Sequence, residues 1–233
     1  MGFPLFIHRQ LDELNIIDKE EAFHAIKVLR LKQGDRILIT NGKGKMVLAM
    51  IQKLEKYQFY FEIEKELDIE PLPYNLHLAV APTKNMDRDD FMVEKCTEMG
   101  LSQLTPIFCE QSERRIVKKD RLDRIVIAAV KQSLKATLPV INEPQTFEKF
   151  VYDNMNISNK YIALCSEIEK TAIIEIAKNT KDAIVVIGPE GDFSTNEIKM
   201  AINNGFQPIS LGHSRLRTET AGIAVCHTFY VVN

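Results

Sequence analysis

Two apolar runs, each followed at once by a polar loop that contains glycine, constrain the fold of this chain most strongly. The first run is Ile184–Ile187, before the loop Gly188–Ser194, and the second is Pro208–Leu211, before Gly212–Ala221. Runs rich in β-branched residues are typical of parallel strands covered on both faces, and ligands of such sheets bind just beyond the carboxyl ends of the strands. Each loop alone is equally well explained as an ordinary strand-to-helix turn, but two of them separated by one helix favour a binding site.

Strands and helices alternate from Tyr74 to the end of the chain. Ser194 and Glu197 form a capping box that starts one helix, while Asp87 and Thr218 are expected to cap two others. The expected strands are 76–81, 104–109, 161–165, 183–187 and 208–211, and the expected helices are 87–99, 120–136, 168–177, 194–204 and 219–231. This alternation predicts an α/β domain with a largely parallel sheet over residues 74–233.

The amino-terminal third has a different pattern. Residues 36–40 and 46–51 are predicted strands on either side of a glycine-rich hairpin loop, and apolar residues alternate with polar ones over 58–63. The pattern predicts a small β-barrel over residues 1–70. The Pro-rich segment Glu70–Pro73 does not suit a central strand and is the expected boundary between two domains.

A helix is also expected in this third, over residues 19–31. Phe23, Ile26 and Leu29 recur at helical spacing within it, with Ala22 as a further candidate for the same face. We therefore expect this face to be directed toward the core.

The composition excludes several classes of protein. The 233 residues carry a formal net charge of −2, so bulk electrostatic binding to nucleic acid or membrane is not expected, and a polyanion must be met by local basic patches. No apolar run is long enough to span a membrane, and the first ten residues lack the pattern of a signal peptide, so a cytoplasmic location is expected. The histidines and the four scattered cysteines lack metal-ligand spacing, so no metal site is expected.

Two segments are nevertheless locally basic. Residues 24–45 contain six basic residues against one acid, and residues 111–135 contain eight basic and three acidic residues. Such charge runs are most simply solvated surfaces, and the alternative is contact with phosphates. Neither a dinucleotide-binding glycine motif at the start of a helix nor a P-loop occurs in the sequence, and no serine nucleophile motif supports hydrolysis.

The two carboxyl-terminal loops are similar to motifs of one known family. Gly188–Ser194 with Glu197, and Leu211–Gly212 with Leu216–Ala221, resemble the signature of the RsmE family of ribosomal RNA methyltransferases. Supporting similarities extend over essentially the whole chain, at His24, Val28–Arg30, Gly34–Asp35, Lys84, Lys95, Glu98–Gly100, Gln132–Ser133 and Pro139. The resemblance implies an enzyme that uses S-adenosylmethionine to methylate N3 of a specific uridine in 16S small-subunit ribosomal RNA.

The resemblance also implies a SPOUT fold, in which a PUA-like RNA-binding β-barrel over 1–70 precedes an α/β domain with a parallel sheet and a carboxyl-terminal trefoil knot over 74–233. It further implies a homodimer whose substrate is expected within the assembled 30S subunit. The resemblance implies that three successive loops, after Leu164, around Gly188 and around Leu211, enclose the cofactor. The expected cofactor contacts are Leu164, Ile187, Gly188, Glu190, Gly191, Leu211, Gly212, Leu216, Thr220 and Ala221. The residues expected to contact RNA are Arg9, Arg30, Arg36, Lys43, Lys84, Arg88, Arg114 and Arg115.

Two residues are candidates for catalysis. Uridine N3 carries a proton that must leave during methylation, so a base or a cation beside the uracil would promote the reaction. Arg217 is expected to stabilise charge on the uracil oxygens, and Glu219 to orient Arg217 or to accept the proton. The alternative is that both residues only hold the loop and the first turn of the last helix.

Two places depart from the family pattern. Asp192 stands where many relatives have glycine, and His213–Arg215 differ from the more usual proline, arginine and aliphatic residue. Two alternative functions also remain open: a non-catalytic RNA-binding or assembly protein with this fold, and a SPOUT enzyme that methylates another RNA atom.

Overall fold

A computed structural model describes residues 2–233, which form two compact units. The first unit contains the chain up to Pro71 together with Val130–Leu138, and the second contains Leu72–Ala129 and Pro139–Asn233. Each unit has an apolar core of its own. No helix in this described part of the chain is long and apolar enough to cross a membrane.

The first unit is built on a curled five-stranded sheet. Its strands are β1 (Leu5–Ile7), β2 (Ile16–Asp18), β3 (Arg36–Thr40), β4 (Met46–Leu54) and β5 (Gln58–Leu67), in the order β1-β3-β4-β5-β2. Only β1 and β3 pair in parallel among these neighbours. Phe59 and Phe61 of β5 are buried as the alternation predicts, but Ile63 is 38% exposed, because it lies where the pairing of β5 with β4 shifts register and the strand bends.

The predicted helix is present, but its predicted inner face is only partly right, because Ala22 is buried and Ile26 half-buried while Phe23 and Leu29 are exposed. Helix α1 (Lys19–Phe23) continues into a π-helical turn, His24–Val28. Ala22 and Ala25 are fully buried, whereas Phe23 is 54% and Leu29 39% exposed. The wider π turn changes the direction of the residues that follow, so regular α-helical spacing assigns the wrong face to the core.

A later segment of the chain completes the first unit. Within Val130–Leu138, the Ala136 carbonyl accepts a hydrogen bond of 2.7 Å from the Thr40 hydroxyl, and the Leu138 N–H donates to the Gly42 carbonyl at 2.9 Å. Gly42 has φ +74°, and a Cβ there would lie 2.6 Å from Leu138 Cδ1. The hairpin loop therefore needs glycine at this position for both its backbone conformation and its close packing.

The second unit contains eight strands. They are β6 (Asn75–Val80), β7 (Gln103–Phe108), β8 (Val140–Ile141), β9 (Gln145–Thr146), β10 (Lys160–Ala163), β11 (Thr171–Ala172), β12 (Asp182–Ile187) and β13 (Gln207–Ser210). Their order is β11-β13-β10-β12-β6-β7-β8, with β9 also on β7, and every one of these pairings is parallel. The prediction of an α/β fold with a parallel sheet is confirmed.

The helices that follow these strands are mostly where the sequence predicts them. They are α2 (Met86–Glu98), α3 (Lys119–Ser133), α4 (Phe147–Asp153), α5 (Ile173–Asn179), α6 (Thr195–Asn203) and α7 (Thr218–Val232). The helix expected over 168–177 begins only at Ile173, because β11 precedes it. Helix α4 and the two-residue strands were not predicted, since such short elements give little periodicity.

Two predicted helix caps are wrong by one or two residues. Asn85 caps α2, because its side-chain oxygen accepts from the Asp87 N–H at 2.9 Å. Arg217 occupies the cap position of α7, and Thr218 is the first helical residue. The Thr218 hydroxyl is thereby free to bond another loop.

His77 of β6 makes the stability of the second unit depend on pH. A ring nitrogen lies 2.7 Å from the Thr105 hydroxyl, and burial lowers the pKa of His77 from 6.5 to about 4. The unfolded chain therefore binds a proton below about pH 6.5 that the folded chain binds only near pH 4. This contribution to stability is complete above pH 6.5 and is lost as the pH falls toward 4.

We expect His77→Gln, which offers Thr105 a polar partner but does not titrate, to remove roughly 3 kcal/mol of pH dependence from the free energy of unfolding. Urea unfolding at a series of pH values between these limits measures the effect. The exposed His227 provides the control, and His227→Gln is expected to leave the pH dependence unchanged. Equal pH profiles for wild type and His77→Gln would contradict the assignment.

Candidate functional site

A cavity of about 450 Å³ lies where β10, β12 and β13 end. These strands are neighbours and run in parallel, so the loops that leave their carboxyl ends meet at one edge of the sheet. The residues that line the cavity are Ala163–Cys165, Glu167, Lys170, Ile187–Glu190, Asp192, Ser210–Leu216, Thr218 and Ala221. The two loops singled out in the sequence thus share one pocket with a third loop, after β10.

The loop after β12 is fixed by the capping box of α6. The Ser194 side chain accepts from the Glu197 N–H, and the buried Glu197 carboxylate accepts from the Ser194 N–H at 2.9 Å. The same carboxylate accepts from the Glu110 N–H at 2.8 Å. At the other end of the loop, a Cβ on Gly188 would lie 2.9 Å from the ring of the buried Phe193, so glycine allows this close packing. The predicted capping box is confirmed.

Asp192 joins this loop to the loop after β10. Its carboxylate accepts from the Phe193 N–H at 2.8 Å and from the Cys165 N–H at 3.4 Å. Its φ of +67° lies in the left-handed region, which glycine adopts freely and aspartate tolerates. The conformation explains how aspartate can stand where glycine was expected, and its side chain adds a link between two walls of the cavity.

The wall after β13 is tied to the other loops by two hydrogen bonds. The buried Thr218 hydroxyl donates to the Gly188 carbonyl at 3.0 Å, and the Arg215 guanidinium donates to the Glu190 carbonyl at 3.2 Å. Gly212 has φ +125°, a conformation that side chains rarely adopt, and a Cβ there would meet open space. Backbone conformation alone therefore requires glycine at this position.

The charged groups leave the cavity with an excess of negative charge. Three carboxylates and two cations line it, namely Glu167, Glu190, Asp192, Lys170 and Arg215. The Lys170 ammonium donates to the carbonyls of Leu164 at 3.3 Å and Ser166 at 2.6 Å, which holds the loop after β10 in place. The carboxylates and cations together carry a net charge of −1, so the site suits a ligand that carries a net positive charge.

Most residues predicted to contact a cofactor line this cavity, but two do not. Those that line it are Leu164, Ile187, Gly188, Glu190, Leu211, Gly212, Leu216 and Ala221. Gly191 and Thr220 are exposed and lie outside the lining. The lining residues that were not predicted as contacts include Glu167, Lys170, Asp192, Arg215 and Thr218. The position of residues 165–170 directly after an expected strand was the signal available for the first two.

The two catalytic candidates lie at the amino-terminal end of α7, outside the lining. Arg217 is exposed at the cap position. Glu219 is 8% exposed, and its Oε1 lies 3.8 Å from Nε of Arg88. Its Oε2 is buried and has no hydrogen-bond partner within residues 2–233. The structure thus places Glu219 beside Arg88, which was expected to contact RNA.

The other basic residues expected to contact RNA in the second unit are engaged within the protein. Lys84 lies 2.6 Å from the Glu113 carboxylate, which raises the pKa of Lys84 above its ordinary value. Arg114 pairs with the buried Asp89. Arg115 donates to the Cys109 carbonyl at 2.9 Å. Any contact of these cations with a phosphate therefore competes with an internal partner.

In the first unit the expected RNA contacts are divided. Arg36 donates to the Glu64 carboxylate at 2.8 Å. Arg9, Arg30 and Lys43 are exposed, and their side chains have no ion pair or hydrogen bond in the part of the chain that the structure describes. These three are more available to a phosphate than Arg36.

No group of three or more His, Cys, Asp or Glu residues within residues 2–233 is arranged to hold a metal ion. Cys96, Cys109 and Cys226 are buried free thiols, and the exposed Cys165 lines the cavity.

The Thr218 hydroxyl is expected to stabilise the cavity walls. Thr218→Val keeps the side-chain shape but leaves the buried Gly188 carbonyl without its donor, so the free energy of unfolding should fall by about 1–2 kcal/mol. Thr228→Val is a matched control, because the Thr228 hydroxyl donates at 2.8 Å to Ala224 of the same helix. Urea unfolding measures both variants, and equal losses would contradict a role that is specific to Thr218.

Two family models match the chain. The model of an RNA methyltransferase domain matches residues 70–230, and the model of an RNA methyltransferase PUA domain matches residues 17–64. The first match covers more than half of the chain and includes every residue that lines the cavity.

Named proteins are similar along nearly their whole length. Ribosomal RNA small subunit methyltransferase E of Buchnera aphidicola subsp. Acyrthosiphon pisum is 30% identical over 91% of this chain and 86% of its own. A probable rRNA-methyltransferase from Porphyromonas gingivalis has a solved structure with a TM-score of 0.90 and 35% identity, over 99% of this chain and 98% of that one. The solved structure of ribosomal RNA small subunit methyltransferase E from Neisseria gonorrhoeae, bound to S-adenosyl methionine, has a TM-score of 0.86 and 29% identity, over 99% of this chain and 98% of that one.

Proposed function

The chain belongs to the ribosomal RNA small subunit methyltransferase E family, and from this premise we propose that it transfers a methyl group from S-adenosylmethionine to N3 of a uridine in 16S ribosomal RNA. The observation that carries this function is the cavity at the ends of β10, β12 and β13, formed by the loops in which the family motifs lie. The uridine and its N3 atom come from the motif resemblance of Gly188–Ser194 and Leu211–Ala221.

The residues of the cavity fit S-adenosylmethionine. Leu164, Ile187 and Leu216 offer apolar surface for an adenine ring. The excess of carboxylates suits a ligand with a sulfonium and an ammonium group, and Lys170 and Arg215 suit its single carboxylate. The Neisseria relative is described as bound to this molecule.

The main task of the protein in this reaction is to position the methyl donor and the acceptor. S-adenosylmethionine, when bound, supplies an electrophilic methyl group on a positively charged sulfur, open to in-line displacement. The chain's own part is to hold three loops rigid around the donor, through the bonds from Thr218 to Gly188 and from Cys165 to Asp192. Such fixed walls favour the alignment of donor and acceptor.

We assign the proton and charge chemistry of uridine to the amino-terminal end of α7. Arg217 adjoins the cavity residues Leu216 and Thr218, and its exposed guanidinium can donate to the uracil oxygens as charge develops there. The Glu219 carboxylate has an oxygen without a partner in residues 2–233 and lies 3.8 Å from Arg88, so we assign to it the N3 proton, with Arg88 orienting the carboxylate.

We also assign residues 1–70 to a PUA-like RNA-binding barrel and residues 74–233 to the methyltransferase domain. The match of the PUA model to residues 17–64 and of the methyltransferase model to residues 70–230 supports this assignment. Under this assignment Val130–Leu138 leaves the second domain to complete the first unit.

Four further properties follow from the family resemblance. They are the carboxyl-terminal trefoil knot, the homodimer, the assembled 30S subunit as substrate and the cytoplasmic location. Gel filtration with light scattering tests the dimer.

Cofactor binding is expected to depend on the negative charge of the cavity. Glu167→Gln removes a lining carboxylate, and calorimetry with S-adenosylmethionine should show an affinity lower by about three- to tenfold, with a larger effect at low salt. Glu169→Gln is the matched control, since Glu169 is exposed in the same loop but lies outside the lining. Equal affinities for the two variants would contradict the charge argument. A wild-type chain that shows no saturable binding would exclude the methyltransferase itself.

Arg217 is expected to act on the acceptor and not on the donor. Arg217→Ala should lower kcat for methylation of small subunits from cells that lack the protein by about 100-fold, with the affinity for S-adenosylmethionine within about twofold. Arg217→Lys, which keeps the charge without the forked donors, should recover part of the rate. Mass spectrometry of the RNA identifies the product, and methyl groups on another atom would assign the chain to a different specificity. If Arg217→Ala lost cofactor affinity and methylation rate to the same extent, Arg217 would have a structural role instead.

A further inference from the structure

The π-helical turn of the first unit exposes apolar side chains that a helix normally buries. Phe23 is 54%, Val28 60% and Leu29 39% exposed, while the inner face of this segment is formed by Ala22 and Ala25. Single exposed apolar residues are common on protein surfaces, but three within seven positions of one helical segment are a patch. A phenylalanine or valine side chain left in water does not contribute its burial to stability, so the fold of this unit gains nothing from this exposure.

Cations without internal partners surround this patch. The side chains of Lys27, Arg30 and Lys32 are exposed and have no ion pair or hydrogen bond within residues 2–233. Several other cations of the same unit are neutralised: Arg36 pairs with Glu64, Lys45 with Asp12 and Glu66, and Lys131 with Glu21. Arg9 and Lys43 also have no such partner, but Lys27, Arg30 and Lys32 are the unpaired cations that lie in the same segment as the apolar patch.

The backbone holds this surface in a defined shape. The Leu29 N–H donates to the His24 carbonyl at 3.0 Å, and the Leu31 N–H donates to the Ala25 carbonyl at 3.0 Å, so the chain closes in wide turns. Arg30 has φ +55°, in the left-handed region that is unfavourable for a long side chain. Wide π turns and residues in this region both concentrate at functional sites.

The charge and the exposed aromatic ring of this surface indicate which kind of ligand it binds. No acid occurs between residues 22 and 34, so a second copy presenting the same face would oppose cation to cation. An aromatic ring flanked by cations instead suits single-stranded RNA, whose unstacked bases stack on aromatic side chains while its phosphates take the positive charges. A stacked duplex does not offer its base faces in this way.

We propose that the surface formed by Phe23, Lys27, Val28, Leu29, Arg30 and Lys32 binds single-stranded RNA, with an unstacked base on Phe23 and Val28 and phosphates on the three cations. The surface rests on the proposed function in taking RNA as the substrate, and it adds the class of RNA structure that the first unit recognises. Phe23 and Val28 are one π-helical turn apart, so they lie on neighbouring positions of the same face.

Fluorescence anisotropy of the full-length chain tests this surface. The probes are a labelled single-stranded RNA of mixed sequence, about 12 nucleotides long, and the blunt duplex of the same sequence. Phe23→Ala should weaken binding of the single strand by about tenfold, within the effect of one stacked base, and leave duplex binding unchanged. Tyr57→Ala is the matched control, because Tyr57 is 64% exposed in the same unit and lies outside the surface. Its binding should equal that of the wild type.

The cations are tested through salt dependence. Lys27→Gln combined with Lys32→Gln should reduce the slope of log affinity against log salt for the single strand by about 1.4, or about 0.7 for each lost phosphate contact. Lys65→Gln, an exposed lysine on the acidic strand β5, should leave the slope unchanged. Phe23→Ala should also leave it unchanged, because stacking releases no counterions.

Several outcomes would overturn the inference. Wild-type binding of the single strand by Phe23→Ala would remove the stacking role, and a change of oligomeric mass in that variant would assign the patch to a second copy. Phe23→Leu guards against a folding defect, since it keeps the apolar volume without the ring and should lose most of the stacking effect. Calorimetry with S-adenosylmethionine on the same preparations separates the two claims. If the wild type does not bind the cofactor but the variants still lose RNA affinity, only the proposed methyltransferase function is contradicted. If all variants methylate and bind RNA as the wild type does, only the proposed RNA-binding surface is contradicted.

Discussion

The parallel pairing of β12 with β10, and of β10 with β13, is the constraint on which the rest of the site depends. Because the three strands run in one direction side by side, the loops that leave them must emerge at one edge of the sheet. Strands β10 and β12 are nearly all buried, whereas β13 buries only Ile209. In β10 and β12 the hydrogen bonds of the sheet and the burial of apolar side chains therefore act together. The cavity of about 450 Å³ is a consequence of this alignment and needs no separate folding element.

Unusual backbone and buried polar groups then fix the loops against one another. Asp192 and Gly212 adopt positive φ, and the buried Glu197 and Thr218 side chains bond main-chain groups of neighbouring loops. Each of these features costs conformational or desolvation free energy on its own. Together they replace flexible turns by rigid walls, which is what an enzyme needs when its main task is to align two reactants.

Ion pairing divides the basic residues into two groups. Arg114 and Lys84 of the second unit, like Arg36 of the first, have carboxylate partners. Arg30 and Lys27, near the π-helical turn, have none within the described chain. In a protein with a formal net charge of −2, phosphate recognition has to come from such local groups, because the overall field does not attract a polyanion.

The sequence by itself determined the α/β class, the parallel sheet, the capping box at Ser194 and the two loops that hold most of the cavity, because these follow from short-range periodicity and from glycine positions. The family motifs added the identity of the ligand. Only the tertiary structure decided that Asp192 bridges two loops, that Glu219 faces Arg88 and that Phe23 points outward. These are contacts between residues far apart in the chain or effects of an irregular turn, and local patterns carry no information about which distant groups the packed sheet brings together.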